Sequence, residues 1–115
     1  MGIWDRDRLR HSVGIETGGQ WFTRLVPKGT RLPCSLTETF TTDEPNQTSI
    51  KIKPFQGENS LSSFNKLLGL FEVTEIPPAG PREPMIYVTF HVNAQGALRI
   101  TARDGTGRDL PVLRR

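Results

Sequence analysis

The side chains able to act as nucleophiles, bases or metal ligands are few and scattered along this chain. Its two histidines, His11 and His91, lie far apart, and neither has a cysteine or second histidine at metal-ligand spacing. Cys34 is the single cysteine, so no internal disulfide forms. With no base patterned beside it, a buried or idle thiol is expected. Gly105-Thr106-Gly107 lacks both the lysine and the following helix of a phosphate-binding loop. Ser60, Ser62 and Ser63 have no nucleophile-elbow setting. Asp43 and Glu44 are adjacent carboxylates in a turn-rich stretch, where ordinary solvation is the expectation. Catalysis is therefore not expected, and no cofactor or metal is implied.

The pattern that does carry chemistry is apolar. Thr39 to Gln56, TFTTDEPNQTSIKIKPFQ, reads as two strands joined by the polar turn Asp43-Glu44-Pro45-Asn46-Gln47. In the second arm Ile50 and Ile52 alternate with Lys51 and Lys53, placing the isoleucines on one face. Such a face is a core wall, or it is one wall of a groove that takes an apolar side chain from outside. Both readings stand at the level of pattern, and ordinary core is the simpler one.

The elements around this stretch are short alternating strands. Ser12 to Thr17 places Val13, Ile15 and Thr17 on one face, and Gly18-Gly19 permits a tight turn. Gln20 to Val26 resumes as a strand, and Pro33 and Pro54 limit pairing where they fall. Leu61 to Leu70 is the one stretch with any helical flavour, although Gly69 favours a loop entering a strand. Ile76 to Pro84 is a proline-rich connector that cannot be helix or central strand. Met85 to Val92 is the cleanest strand, with Ile86, Val88, Phe90 and Val92 on one face and His91 on the outer one. Asn93 to Gly96 turns, Leu98, Ile100 and Ala102 alternate, Asp104 to Gly107 turns again, and Leu110 to Leu113 suits an edge strand. Seven to eight short strands of this kind predict an all-β fold, an antiparallel β-sandwich.

A chain of 115 residues fits one domain. Residues 1–11 are expected to be a flexible lead or linker remnant, with Trp4 the exception that could dock, and residues 12–115 the domain proper. No apolar run suits a membrane span, and the charged N-terminus does not resemble a signal peptide, so a cytoplasmic setting is the expectation. The net charge is +3, but the arginines are spread between the two ends, at positions such as Arg8, Arg10, Arg103 and Arg115. A solvated surface is the simpler reading, with a basic β-domain that binds nucleic acid as the alternative.

Several segments together resemble one family. They are Ser12-Val-Gly-Ile-Glu-Thr-Gly-Gly19, Leu25 to Pro33, Phe40 to Gln47, Gln56-Gly-Glu58, Asn65 to Phe71, Ile76 to Ala79, and Pro84 to Phe90 followed by Asn93 to Gly96. In this order they resemble the β-sandwich substrate-binding subdomain of the 70-kDa heat-shock chaperones, the DnaK type. Each motif alone is weak; seven in register are specific. The resemblance implies binding of extended, unfolded hydrophobic peptide between two loops of the sandwich. It implies that Ile15, Phe40, Ile50, Ile52 and Ile86 line a central apolar pocket, reversing the simpler core reading. Thr17, Thr41, Asp43 and Gln47 would bond the peptide backbone or cover it.

Departures from the family pattern carry their own expectations. Gly18 and Asp43 stand where the family places two bridging side chains, which implies an open arch. Ile50 replaces a frequent valine and should shrink the pocket. Neither a nucleotide-binding domain nor a helical lid is visible in the sequence, so ATP would enter only through a domain this chain lacks. Partners implied are unfolded polypeptides, and in a parent protein a nucleotide-binding domain and co-chaperones. A lidless groove could also capture a neighbour's terminal segment, such as Leu110 to Leu113. A purely structural module, with its groove closed by its own residues, is the remaining alternative.

Overall fold

The computed structural model describes residues 7–115; Trp4 lies outside the described residues. The strands are β1 Val13–Thr17, β2 Trp21–Val26, β3 Cys34–Phe40, β4 Ile50–Ile52, β5 Pro54–Gln56, β6 Lys66–Leu67, β7 Phe71–Val73, β8 Ile86–Val92, β9 Leu98–Asp104, β10 Asp109–Leu110 and β11 Val112–Arg114. They form three antiparallel sheets, ordered β2-β1-β5-β6, β10-β9-β8-β3 and β11-β7-β4. The fold is all-β, as the alternation predicts. Strand segments outnumber the seven or eight expected because two runs change partners at a proline. Ile52 pairs with Phe71, but Pro54, two residues on, pairs with Ile15. Leu110 pairs with Ala102, but Val112, across Pro111, pairs with Val73. Proline donates no hydrogen bond, so a ladder breaks there and the chain can cross to another sheet.

Burial follows the period-two pattern. Ile86, Val88, Phe90 and Val92 on β8 are buried, whereas Tyr87 is exposed and Thr89 and His91 are half-covered. Ile86, Val88 and Phe90 of that row pack against Ile50, Ile52, Phe71 and Val73 of the facing sheet and Ile15 of β1. A second cluster of Leu9, Val13, Val26, Leu32 and Val92 closes the other end. Gly14 is required by close approach. A Cβ there would stand 2.1 Å from the Thr23 carbonyl oxygen, so no side chain fits between β1 and β2.

The structure corrects several expectations. Thr39 to Gln56 is not a hairpin. Phe40 pairs with Ile86, and Ile50 pairs with Val73, so the two arms belong to different sheets that face each other across the core. Leu61 to Leu70 is, as Gly69 suggests, a loop entering strand β7, with a 3-10 turn at Ser62–Phe64 and the short β6 along it. The described part of the expected lead is docked. Leu9 is buried, its N–H donates to the Thr30 carbonyl at 2.9 Å, and the Leu32 N–H donates to the Asp7 carbonyl at 2.6 Å. Leu110 to Leu113 is paired within the molecule's own sheets and Leu110 is core, so this segment is not free to enter a neighbour's groove.

Candidate functional site

The five apolar residues expected to form a pocket converge. Ile15, Ile50, Ile52 and Ile86 belong to one cluster, and Phe40 packs against it half-buried. They come from β1, β3, β4 and β8, and two loops begin just beyond them. One is the β1–β2 turn at Gly18-Gly19, the other the β3–β4 connection from Thr41 to Ser49. Ile86 is 0% and Ile52 3% exposed, whereas Ile15 and Ile50 each keep 8% at the mouth. The four isoleucines are therefore nearly closed off from solvent. Ile50 is covered by its neighbours, and Phe40 retains partial access.

The polar candidates are engaged within the loops. Gly18 has φ +58°, which a glycine adopts without strain, and the Gln20 N–H closes the turn on the Thr17 carbonyl at 3.3 Å. The Thr17 and Thr23 hydroxyls meet at 2.6 Å across β1 and β2. The Thr41 hydroxyl donates to the Pro84 carbonyl at 2.7 Å. Gln47 braces its own loop: its Oε1 accepts the Asp43 and Glu44 N–H groups at 3.0 and 3.1 Å, and its Nε2 donates to the Ser49 carbonyl at 2.7 Å. Both Oε1 lone pairs are then occupied, and one of the two Nε2 hydrogens is used. The Asp43 side chain is exposed.

The proline-rich connector is the support that sequence reasoning missed. The Asn46 N–H donates to the Ala79 carbonyl at 2.8 Å and the Arg82 N–H to the Thr42 carbonyl at 2.9 Å. Thr42 is buried between these anchors, and its hydroxyl has no hydrogen-bond partner among the described residues. The prolines mark the segment as extended, but nothing in the chain tells which loop it backs. On the other side, the Ser62 hydroxyl donates to the Glu16 carboxylate and holds it below the usual carboxylate range, with Lys53 adding to the effect.

The groups considered for catalysis show other roles. Partial burial pushes the Cys34 thiol upward, away from the reactive thiolate. His91 is half-buried rather than exposed, bonds the Thr101 hydroxyl at 2.9 Å, and is lowered by burial and by Arg99. Several arginines are committed internally. Arg108 pairs with Asp104, Arg115 with Glu72 and Arg24 with Glu58, and Arg114 lies 5.5 Å from the Phe71 ring centre. Among the described residues no group of three or more His, Cys, Asp or Glu side chains is placed to hold a metal ion. No helix among them is long and apolar enough to cross a membrane.

The family described as "Hsp70 protein" matches residues 6–110. The chain belongs to the Hsp70 family. It is 45% identical over 95 residues to heat shock cognate 70 kDa protein 3 of Dictyostelium discoideum, covering 83% of this chain. It is 46% identical over 97 residues to chaperone protein DnaK from two strains of Halobacterium salinarum, covering 84% of this chain. In each case the match spans 15% of the relative's length. This Hsp70 segment is thus chaperone-related and β-rich, and it corresponds to a small part of those longer proteins.

Proposed function

We propose that this domain reversibly binds extended, unfolded polypeptide, seating one apolar guest side chain over Ile15, Phe40, Ile50, Ile52 and Ile86. What supports the reading is that these five residues, from four strands, pack in one apolar cluster, and that two loops begin just beyond β1 and β3. Extended peptides are commonly held by main-chain hydrogen bonds for affinity and by side-chain pockets for specificity. Thr17, Thr41, Asp43 and Gln47 edge the place where such a chain would lie. A coupled nucleotide-binding domain, co-chaperones and a cytoplasmic setting belong to this proposal at the level of a whole protein.

The near-closure of the floor sets the energetics. Ile15 and Ile50 expose 8% each, so a guest needs the two loops to part. The loop bonds at Thr41, Asp43 and Glu44 are solvent-exposed, the kind that open at low cost. If only a fraction of molecules is parted, the apparent affinity falls by that fraction. Burying one leucine supplies about 1.5 to 3 kcal/mol, whereas micromolar binding needs about 8 kcal/mol. Main-chain bonds must supply the rest, and we expect weaker than micromolar affinity with fast release.

Amide-shift mapping with an unfolded leucine-containing peptide tests the reading. Shifts should cluster at Ile15 to Gly18 and Phe40 to Ile52. One observation favours a second reading, polyanion binding: Tyr87 pairs with Arg103 and His91 with Arg99 on the outer face of β8 and β9. Shifts confined to that face, with steep salt dependence, would replace the first reading by the second.

A further inference from the structure

Trp21 is absent from the set of residues assigned above, yet its placement ties it to the same mouth. It pairs with Thr17 across β1 and β2, while Ile15 pairs with Thr23 one row further in. Directly opposed residues of an antiparallel pair project to the same face. The hydroxyl contact between Thr17 and Thr23 shows that the two rows share that face. The face therefore carries the floor residue Ile15 and then, nearer the turn, Thr17 and Trp21. Trp21 is 51% exposed. Its indole Cδ1 lies 3.2 Å from where a Cβ on Gly18 would stand, so the ring leans on the glycine turn.

The backbone beneath the ring is braced. Trp21 forms a bridge with Leu61, the Phe22 N–H donates to the Ser60 carbonyl at 2.9 Å, and the Ser62 N–H donates to the Gln20 carbonyl at 2.9 Å. A large aromatic held half in water on a fixed support is a contact surface with little ordering entropy left to lose.

We infer that Trp21 is a guest-contacting residue that reads the side chain two positions along the bound peptide from its apolar anchor, favouring an aromatic there. The inference rests on the peptide-binding reading above. Its spacing comes from the strand: two residues of extended chain advance about 6.5 to 7 Å. An extended guest anchored over the Ile15 row presents its next same-side residue to the Thr17–Trp21 row. An aromatic at that point stacks on the indole, and such a pair adds about two- to tenfold in affinity.

The test uses the full chain with Trp4→Phe, which leaves Trp21 as the only tryptophan. Labelled extended peptides carry one leucine, with either Phe or Ala two residues before or after it. One Phe guest should bind about two- to tenfold tighter than its Ala counterpart and shift the indole emission. In Trp21→Ala that preference should vanish. A Phe preference that survives Trp21→Ala, or none in the Trp21 protein, overturns the inference. Either result leaves the peptide-binding reading intact provided Ile50→Phe still abolishes binding. No binding of any guest overturns both.

Discussion

Gln47 and Asp43 are joined within one loop: the Gln47 Oε1 accepts the Asp43 N–H at 3.0 Å. The same oxygen takes the Glu44 N–H, and the Gln47 amide donates onward to the Ser49 carbonyl. One side chain thus sets the curvature of the segment that leads into Ile50. The bonds at Asp43 and Glu44 are solvent-exposed, so water can replace them, and the loop's order is worth less than its shape.

Replacing Gln47 by alanine should therefore cost little stability, about 1 kcal/mol or less, and more in binding. The Asp43 and Glu44 amides should exchange with solvent faster, and a leucine-containing peptide should bind several-fold more weakly. Gln47→Glu keeps the acceptor oxygen but loses the donor to Ser49, and should fall between the two. Hydrogen exchange read beside fluorescence anisotropy checks both effects. Unchanged exchange at Asp43 would show that the brace is redundant.

Ile50→Phe should remove peptide binding while the domain stays folded. Ile50 is 8% exposed at the mouth and paired with Val73, so a ring there extends into the notch. Overpacking costs about 1 to 3 kcal/mol, against a total stability of about 5 to 15 kcal/mol for an ordinary domain. The urea midpoint should drop with cooperativity kept, and the anisotropy change on peptide addition should be lost. Ile86→Val, at the fully buried floor, should cost about 0.5 to 1.5 kcal/mol and leave binding largely in place. Normal affinity in Ile50→Phe would move the site elsewhere.

The parts legible in the sequence are those that depend on local period. The alternation of Ile86, Val88, Phe90 and Val92 names its buried face, and Asn93 to Gly96 names its turn, because both are written in neighbouring residues. What period two cannot show is which sheet a face belongs to. Phe40 and Ile50 were legible as apolar positions, yet they pair with Ile86 and Val73 in different sheets, since the intervening loop, exposed for most of its length, carries the chain from one sheet to the other. The same limit hides Trp21, whose place beside the mouth follows only from its register with Thr17. Gln47 shows a further limit: a polar side chain in a turn can face a guest or fold back on its own loop, and composition does not distinguish them. Leu9 docks because Asp7 and Thr30 hydrogen bonds bring it onto Leu32 and Val92, a long-range match with no local sign.

Asp104 should govern part of the acid sensitivity. Its carboxylate accepts the Thr106 hydroxyl at 2.6 Å and N–H at 2.9 Å, and the Arg108 N–H at 3.1 Å. These bonds, the Thr106 hydroxyl foremost, lower it to about 2. A carboxyl lower in the folded than in the unfolded chain stabilises the fold fully above its unfolded value, about 3.9. That contribution drains away as pH falls toward the folded value of about 2. Asp104→Asn should thus lower the urea midpoint at neutral pH, and the gap from wild type should close between about pH 4 and pH 2. A constant gap over that range would mean that the turn, not the charge, carries the effect.

Ser12 offers a stability change at the end of β1 opposite the mouth. It is buried, its N–H and hydroxyl donate to the Glu58 carboxylate at 2.8 and 2.7 Å, and its oxygen accepts the Lys28 N–H at 2.8 Å. One hydroxyl therefore ties β1 to the turn before Gly29 and to the loop after β5. Ser12→Ala leaves the Lys28 N–H without its acceptor and should cost about 1 to 3 kcal/mol, read as a lower urea midpoint at unchanged slope. Five residues of strand lie between it and Gly18, which puts the two about 20 Å apart, so peptide affinity measured well below the unfolding transition should stay the same. A parallel loss of affinity would show that the two ends of β1 move together, and that the mouth is not held by its loops alone.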